Sequence, residues 1–228
     1  MPSFDILRES APASSFRVEA LRSMFDLSAE RIQERFSGSI SIDDRDWHIG
    51  VIYGASGTGK STIARELFPE HYIRGYEYAA TSVIDDMPKE ADIKTITAVF
   101  NAVGFSSPPS WLKPYAVLSN GEKMRTDLGR AILENRDMIV FDEFTSVVDR
   151  TVARIGSAAV AKAVRKMGRR FVAVSCHDDI LPWLEPDWTY CTDDGSFFLT
   201  GDISDRKSKW RSGKGQKTNG DYFGVITI

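Results

Sequence analysis

Gly54-Ala55-Ser56-Gly57-Thr58-Gly59-Lys60-Ser61-Thr62 decides how the rest of the chain is read. The stretch matches G-x-x-x-x-G-K-[ST]. A short apolar run, Ile49 to Tyr53, precedes it, and Ser61 to Phe68 can be helical. Strand, glycine turn and helix together form the context that gives this pattern its meaning. The glycines let backbone N–H groups turn inward around phosphate oxygens. The helix that follows adds its N-terminal dipole. Lys60 is placed to reach β- and γ-phosphates, and Ser61 to offer a hydroxyl to Mg²⁺. The competing reading is a glycine-rich turn that binds nothing; so full a match in this context argues against it. Alone, the stretch indicates a nucleoside triphosphate and does not separate kinase, GTPase and ATPase.

Working outward, Met138 to Phe141 is a second apolar strand, and it ends in Asp142-Glu143. A carboxylate at the end of a central strand, near a phosphate loop, is where a Mg²⁺ partner is needed. The second carboxylate can orient and deprotonate an attacking water. Phe171 to Val174 is a third buried strand. Between the strands, Ile93 to Val103 fits a helix and 106–114 reads as a proline-rich loop. Residues 122–135 form an amphipathic helix, with Met124, Leu128, Ala131 and Ile132 on one face. Thr151 to Met167 is another helix, with Val152, Ile155, Ala159 and Ala163 on one face. Ser39-Ile40-Ser41-Ile42 alternates like an exposed strand. Trp188–Thr192 and Ser196–Thr200 flank Asp193-Asp194-Gly195 as a hairpin. Strands alternating with helices predict an α/β fold whose sheet is largely parallel in the middle.

The 228 residues are 42% hydrophobic and 27% charged, which suits one globular domain and argues against disorder, collagen and coiled coil. Lysine plus arginine (29) against aspartate plus glutamate (32) gives −3, which excludes a uniformly basic nucleic-acid binder. Cys176 and Cys191 make no disulfide framework and no zinc spacing. The apolar runs are too short to span a membrane, and MPSFDILRES lacks the pattern of a signal peptide. The expectation is a cytoplasmic protein with no membrane insertion. Residues 206–217 hold six basic residues, no acid, and Trp210. Two readings stand: a solvated flexible segment, or a phosphate-tracking arm with one stacking aromatic. Without that arm the chain carries 23 basic against 32 acidic residues.

Five segments, in order, resemble the ATP-binding cassette (ABC) ATPases. After the phosphate loop, Leu118-Ser119-Asn120-Gly121-Glu122 looks like the family signature LSGGQ and opens the amphipathic helix. Gly121 precedes Asp142 by 21 positions, and Arg130-Ala131 falls where the family has its Arg-Ala pair. Asp142-Glu143-Phe-Thr-Ser-Val-Val-Asp149 resembles the DEPTSALD segment, and His177 follows the strand 171–174 as the switch histidine does. The resemblance implies a P-loop NTPase fold: an ABC-type nucleotide-binding domain with a mixed β-sheet core and a reduced α-helical subdomain. It implies ATP and Mg²⁺ as cofactors, and an ATP-dependent head-to-tail homodimer. One subunit's loop, residues 54–62, would hold each ATP, and the other's Ser119, Asn120 and Gly121 would close it. Glu143 would be the general base, Lys60 and His177 would act on the γ-phosphate, and Asp149 would act across the interface. Ser61 and Asp142 would hold Mg²⁺.

The chain departs from the family in several places. The signature reads SNGE, and Phe144 replaces a proline. No glutamine lies between Lys60 and Ser119, a span of 59 residues. In the glutamine's place stand Asp85 and Asp86; Asp85 would meet Mg²⁺ through water, or the pair is a turn before Met87-Pro88. Phe36, 24 residues before Lys60, is either the adenine-stacking aromatic or a core strand residue. The domain reading is one ATPase domain over 1–205 with 76–135 as the reduced helical subdomain. A basic flexible segment (206–217) and a strand candidate (218–228) follow. The segment 103–115 leading into the signature resembles a small subfamily of such ATPases associated with predicted acetyltransferases. The expected function is a soluble ATPase driving a conformational change in a partner, such as an acetyltransferase, or in a nucleic-acid process. The alternatives are a transporter's ATP-binding subunit and a P-loop phosphoryl-transfer kinase.

Overall fold

The computed structural model describes residues 2–10, 15–26, 32–42, 45–134 and 136–199. The expectations for 206–217 and 218–228, and the strand end at Thr200, lie outside the described residues.

The N-terminal part is β1 (Ser3–Ser10), α1 (Phe16–Phe25) and β2 (Ile32–Ser39). β1 and β2 pair antiparallel from Ser3↔Ser39 to Ser10↔Ile32 as a two-stranded sheet. The strand expected over residues 39–42 is therefore displaced: β2 ends at Ser39, and Ile40 and Ile42 are fully buried beyond it. Alternation there reflects two anchors driven into the core, not an exposed ladder.

The main sheet contains β3 (Ile49–Tyr53), β4 (Tyr72–Ile73), β5 (Met138–Phe141), β6 (Arg170–Ser175), β7 (Trp188–Cys191) and β8 (Phe197–Leu199). Its order is β4-β5-β6-β3-β7-β8. The first five strands run parallel and β8 returns antiparallel to β7. β3, β5 and β6 are apolar almost throughout because both faces are covered. Alternation with period two divides their side chains between two cores. Ile49, Val51, Ile139, Phe171 and Ala173 face one core, with Phe100, Leu128, Val160 and Val164. Ile52, Val140, Val172 and Val174 face the other, with Ile63, Ala64, Phe4, Ile40 and Trp188.

The helices are α2 (Lys60–Leu67), α3 (Ile93–Ala102), α4 (Pro108–Trp111), α5 (Asn120–Leu133), α6 (Arg150–Lys166) and α7 (Leu181–Leu184). The proline-rich stretch 106–114 thus contains a short helix with proline at its start, where proline's missing N–H costs nothing. The α5 face is as expected: Met124, Leu128, Ala131 and Ile132 are buried. On α6 the expected face is met in part: Ala163 is buried and Val152 and Ala159 are half-buried. Ala153, Gly156, Ser157, Val160 and Val164 are buried, while Ile155 is 52% exposed. The Met124 side chain of α5 reaches Gly156; a Cβ there would stand 3.1 Å from Met124 Cε.

Candidate functional site

Parallel pairing brings the carboxyl ends of β3, β5 and β6 to one edge of the sheet. Tyr53 pairs with Ser175, and Phe141 with Ala173. The segments that follow these strands are therefore neighbours: the loop 54–59, Asp142-Glu143 and Cys176-His177. Ligands of open α/β sheets bind at this edge.

In the loop, Gly57 and Gly59 adopt φ of 88° and 84°, which disfavours any residue with a Cβ. Gly59 is the N-cap of α2 and no side chain caps the helix there, so its first N–H groups remain for a ligand. Lys60 is buried, and its Nζ donates to the Ala55 carbonyl at 2.6 Å. The hairpin braces the loop from outside. Asp193 Oδ1 accepts from Ala55 N at 2.8 Å, and the Thr58 and Thr192 hydroxyls lie 2.5 Å apart. Sequence reading missed this role of Thr192 and Asp193, because a D-D-G turn signals a hairpin and nothing more. Phe36 lies on the loop: a Cβ on Gly59 would come within 2.6 Å of its ring. The ring also packs on the second core, so both readings of Phe36 have structural content.

Asp142 is the hub. Its Oδ1 accepts from Ser61 Oγ at 3.1 Å and from Glu143 N at 2.9 Å, and its Oδ2 accepts from the Tyr72 hydroxyl. Tyr72 is buried, and the Arg65 guanidinium lies 4.9 Å from its ring centre. Burial first, and then the Asp142 carboxylate, push the Tyr72 phenol above its ordinary pKa. It stays a hydrogen-bond donor at neutral pH. Tyr72 went unread because β4 is only two residues long and leaves no periodic trace.

Glu143 has φ of 51°, a left-handed conformation costing about 1–3 kcal/mol in a residue with a side chain. The next residue holds it there. Phe144 is fully buried, packs edge-on against Phe141 and Phe171, and donates its N–H to the Val174 carbonyl at 2.8 Å. The phenylalanine in place of proline is a core anchor that fixes the turn carrying Glu143. His177 is half-buried two residues past β6, and its N–H donates to Ser175 Oγ at 3.1 Å. Cys176 Sγ lies 3.8 Å from Ser146 Oγ, joining that loop to the turn after Glu143.

The remaining residues divide. Ser119 is the N-cap of α5 in a capping box: Glu122 Oε2 accepts from its N–H at 2.9 Å and its hydroxyl at 2.8 Å. Hydrogen bonds from Ser110, then Ser119, hold the Glu122 carboxyl below the usual range. The departure at Glu122 is thus a helix-capping residue. Ser119 and Asn120 are exposed, with Gly121 beside them. Asp149 caps α6, accepting from Thr151 N and Val152 N at 2.9 and 3.0 Å.

Asp85 does not line the cleft that holds Asp142 and Glu143. It is exposed, bonded by Ser82, in a segment whose backbone pairs with Trp111 and Lys113. Asp86 accepts from Ala79 N and Ala80 N, as a turn residue does. The cleft beside Asp142 and Glu143 is about 690 Å³ and is lined also by Tyr72, Arg74, Asn120 and Lys123.

The segment after β4 is clasped to α5. Tyr78 and Tyr115 stack at 3.9 Å, and both hydroxyls donate to Asp127, at 2.7 and 2.9 Å. Arg130 covers Tyr76 and Tyr78 and donates to the Glu77 carbonyl. Burial raises the Asp127 carboxyl above its usual range, against the two hydroxyls that stabilise its charge.

Among the described residues no group of three or more His, Cys, Asp or Glu could hold a metal. One hydroxyl plus one carboxylate, Ser61 with Asp142, fits Mg²⁺, which takes one or two carboxylates together with phosphates and waters. Among the described residues no helix is long and apolar enough to cross a membrane.

No family model matches the chain. Elongation factor 3 of Zygosaccharomyces rouxii is 35% identical over 116 residues, 42% of this chain and 11% of that protein. Elongation factor 3 of Gonapodya prolifera is 29% identical over 160 residues, 56% of this chain and 14% of that protein. The chain therefore spans only a small part of these relatives. Among solved structures, a dimeric ATP-binding cassette in a post-hydrolysis state, bound to ADP and phosphate, superposes with a TM-score of 0.58. It is 12% identical, over 86% of this chain and 99% of that one. An ATP-binding cassette of an ABC transporter in its ADP conformation gives 0.54 at 18% identity, over 92% of this chain and all of that one. A bacterial ABC exporter with ATP bound gives 0.57 at 17% identity, over 74% of this chain and 37% of that one. Sheet, phosphate loop and neighbours agree: the chain has the fold of an ABC-type nucleotide-binding domain, a P-loop NTPase with a mixed α/β core.

Proposed function

We propose that this protein hydrolyses ATP as a soluble, cytoplasmic cassette that closes as a head-to-tail homodimer and drives a conformational change in a partner. The observation that carries the reading is the junction of Ser61, Asp142 and Glu143 beside the phosphate loop. Lys60 and the N–H groups of 57–61 would bind phosphates. Ser61 and Asp142 would hold Mg²⁺, which when bound bridges and neutralises phosphate oxygens. Glu143 would accept the proton of the attacking water, and His177 would orient that water. Phe36 would carry the adenine. The exposed start of α5, Ser119-Asn120-Gly121, would close the partner's site, with Asp149 across the interface. The reduced helical subdomain proposed over 76–135 would carry the signature at the start of α5.

Two features favour a non-transport role. No glutamine lies between Lys60 and Ser119, and the curated relatives bear the name of an elongation factor. A nucleic-acid assembly is therefore the preferred partner, and an acetyltransferase is the one the subfamily resemblance implies. The test is ATP turnover with added RNA or DNA across a salt series. Stimulation that fades as salt rises supports nucleic acid; unchanged turnover in every condition removes it and leaves a protein partner.

Tyr72 gives a finer test of the metal site. Tyr72→Phe keeps the ring and removes the hydroxyl that donates to Asp142 and meets the Arg65 side chain. The Mg²⁺ concentration for half-maximal turnover should rise about tenfold, the usual cost of losing a group that orients a metal ligand. An unchanged Mg²⁺ requirement would show that Tyr72 serves packing alone.

A further inference from the structure

Arg74 is the first residue after β4. In that pairing Tyr72 stands opposite Val140 and Ile73 opposite Phe141. Arg74 and Asp142 are the residues that follow the last pair, and both line the same cleft with Glu143. Three cations border this cleft: Arg65, Arg74 and Lys123. Arg65 is engaged over Tyr72, and Lys123 lies 5.6 Å from the Tyr115 ring centre. Arg74 is exposed and has no hydrogen-bond, ion-pair or ring partner among the described residues. It does not pair even with the carboxylates that share its cleft.

A guanidinium left uncommitted beside two carboxylates is available to a third anion. Its planar fork of N–H donors matches phosphate oxygens and cannot ligate a metal. The need for such a charge is local. A terminal phosphate approaching the loop would meet Asp142 and Glu143, two negative charges at one strand end. Lys60 answers from the loop side, and no glutamine lies between Lys60 and Ser119. Position, charge and absence of a partner meet in one residue.

We infer that Arg74 recognises the terminal phosphate of the bound nucleoside triphosphate and so separates ATP from ADP at this site. The inference rests on the ATPase reading above. It replaces the metal contact expected of Asp85 with a phosphate contact at a different position, and it makes β4 a functional strand.

The test is equilibrium binding of ADP and of a non-hydrolysable ATP analogue, each with Mg²⁺, to the full chain and to Arg74→Ala, Arg74→Gln and Arg74→Lys. Thermal melts establish folding. We expect Arg74→Ala and Arg74→Gln to weaken the triphosphate analogue at least tenfold and ADP by no more than twofold, with Arg74→Lys recovering part of the loss. Equal weakening of both nucleotides, or no change in either, would overturn the assignment while leaving nucleotide binding intact. If the unaltered protein bound neither nucleotide, the ATPase reading itself would fall, and Arg74 with it. Should Arg74→Ala fail to fold, Arg74→Lys and Arg74→Gln still decide between a charge-specific and a merely structural role.

Discussion

Glu143→Gln should lower the rate of ATP turnover by about 10²–10⁴-fold, the range that a positioned general base supplies. ATP binding should be unchanged. The substitution keeps the side chain's size and removes its ability to accept a proton. Glu143 sits at the end of β5 in a left-handed turn fixed by the Phe144 anchor, so glutamine should occupy the same place. Its backbone N–H bond to Asp142 at 2.9 Å does not depend on the side chain. Rapid-quench measurement of a single turnover would separate a loss of chemistry from a loss of binding. A variant that turned over at the original rate would remove Glu143 from the reaction.

Lys60→Ala should weaken binding strongly where Glu143→Gln leaves it intact. Lys60 is 8% exposed and already folds its ammonium onto the loop, toward Ala55 O. That donor is positioned for phosphate oxygens among backbone N–H groups and the uncapped start of α2. Removing one partner of a buried, hydrogen-bonded charge pair costs about 2–5 kcal/mol. Affinity for ATP and ADP alike should fall by at least thirtyfold, about 2 kcal/mol. The melting temperature without nucleotide should move little, because among the described residues the ammonium's hydrogen bond is to a loop carbonyl. Calorimetric titration reads the first effect and a thermal scan the second. Near-normal ATP affinity in the folded variant would show that the loop is not the phosphate site.

Much of this was legible in the chain because the decisive segments are local and periodic. β3, the phosphate loop, β5 with its two acids and the α5 face each declare themselves within about ten residues. What stayed hidden depends on tertiary pairing. β4 is two residues long, so nothing in the sequence placed Tyr72 and Arg74 on one cleft with Asp142. Asp193 looked like a turn residue and proves to brace the loop. On α6 the apolar count favoured Ile155, while close packing buries Ala153, Gly156 and Ser157. Ile40 and Ile42 alternate as a strand would and are core anchors past the end of one. Glu122 and Phe144 looked like departures from a motif. In the folded chain, one completes a capping box and the other fixes the turn that carries Glu143.

ATP should close two copies of this chain on each other. The direct measurement is the mass of Glu143→Gln in solution by light scattering, with and without Mg²⁺-ATP. The account predicts a protomer of 25.5 kDa without nucleotide. With ATP it predicts twice that mass, reverting when ADP is exchanged for ATP. A variant that binds ATP and remains at the protomer mass at saturating nucleotide would contradict it.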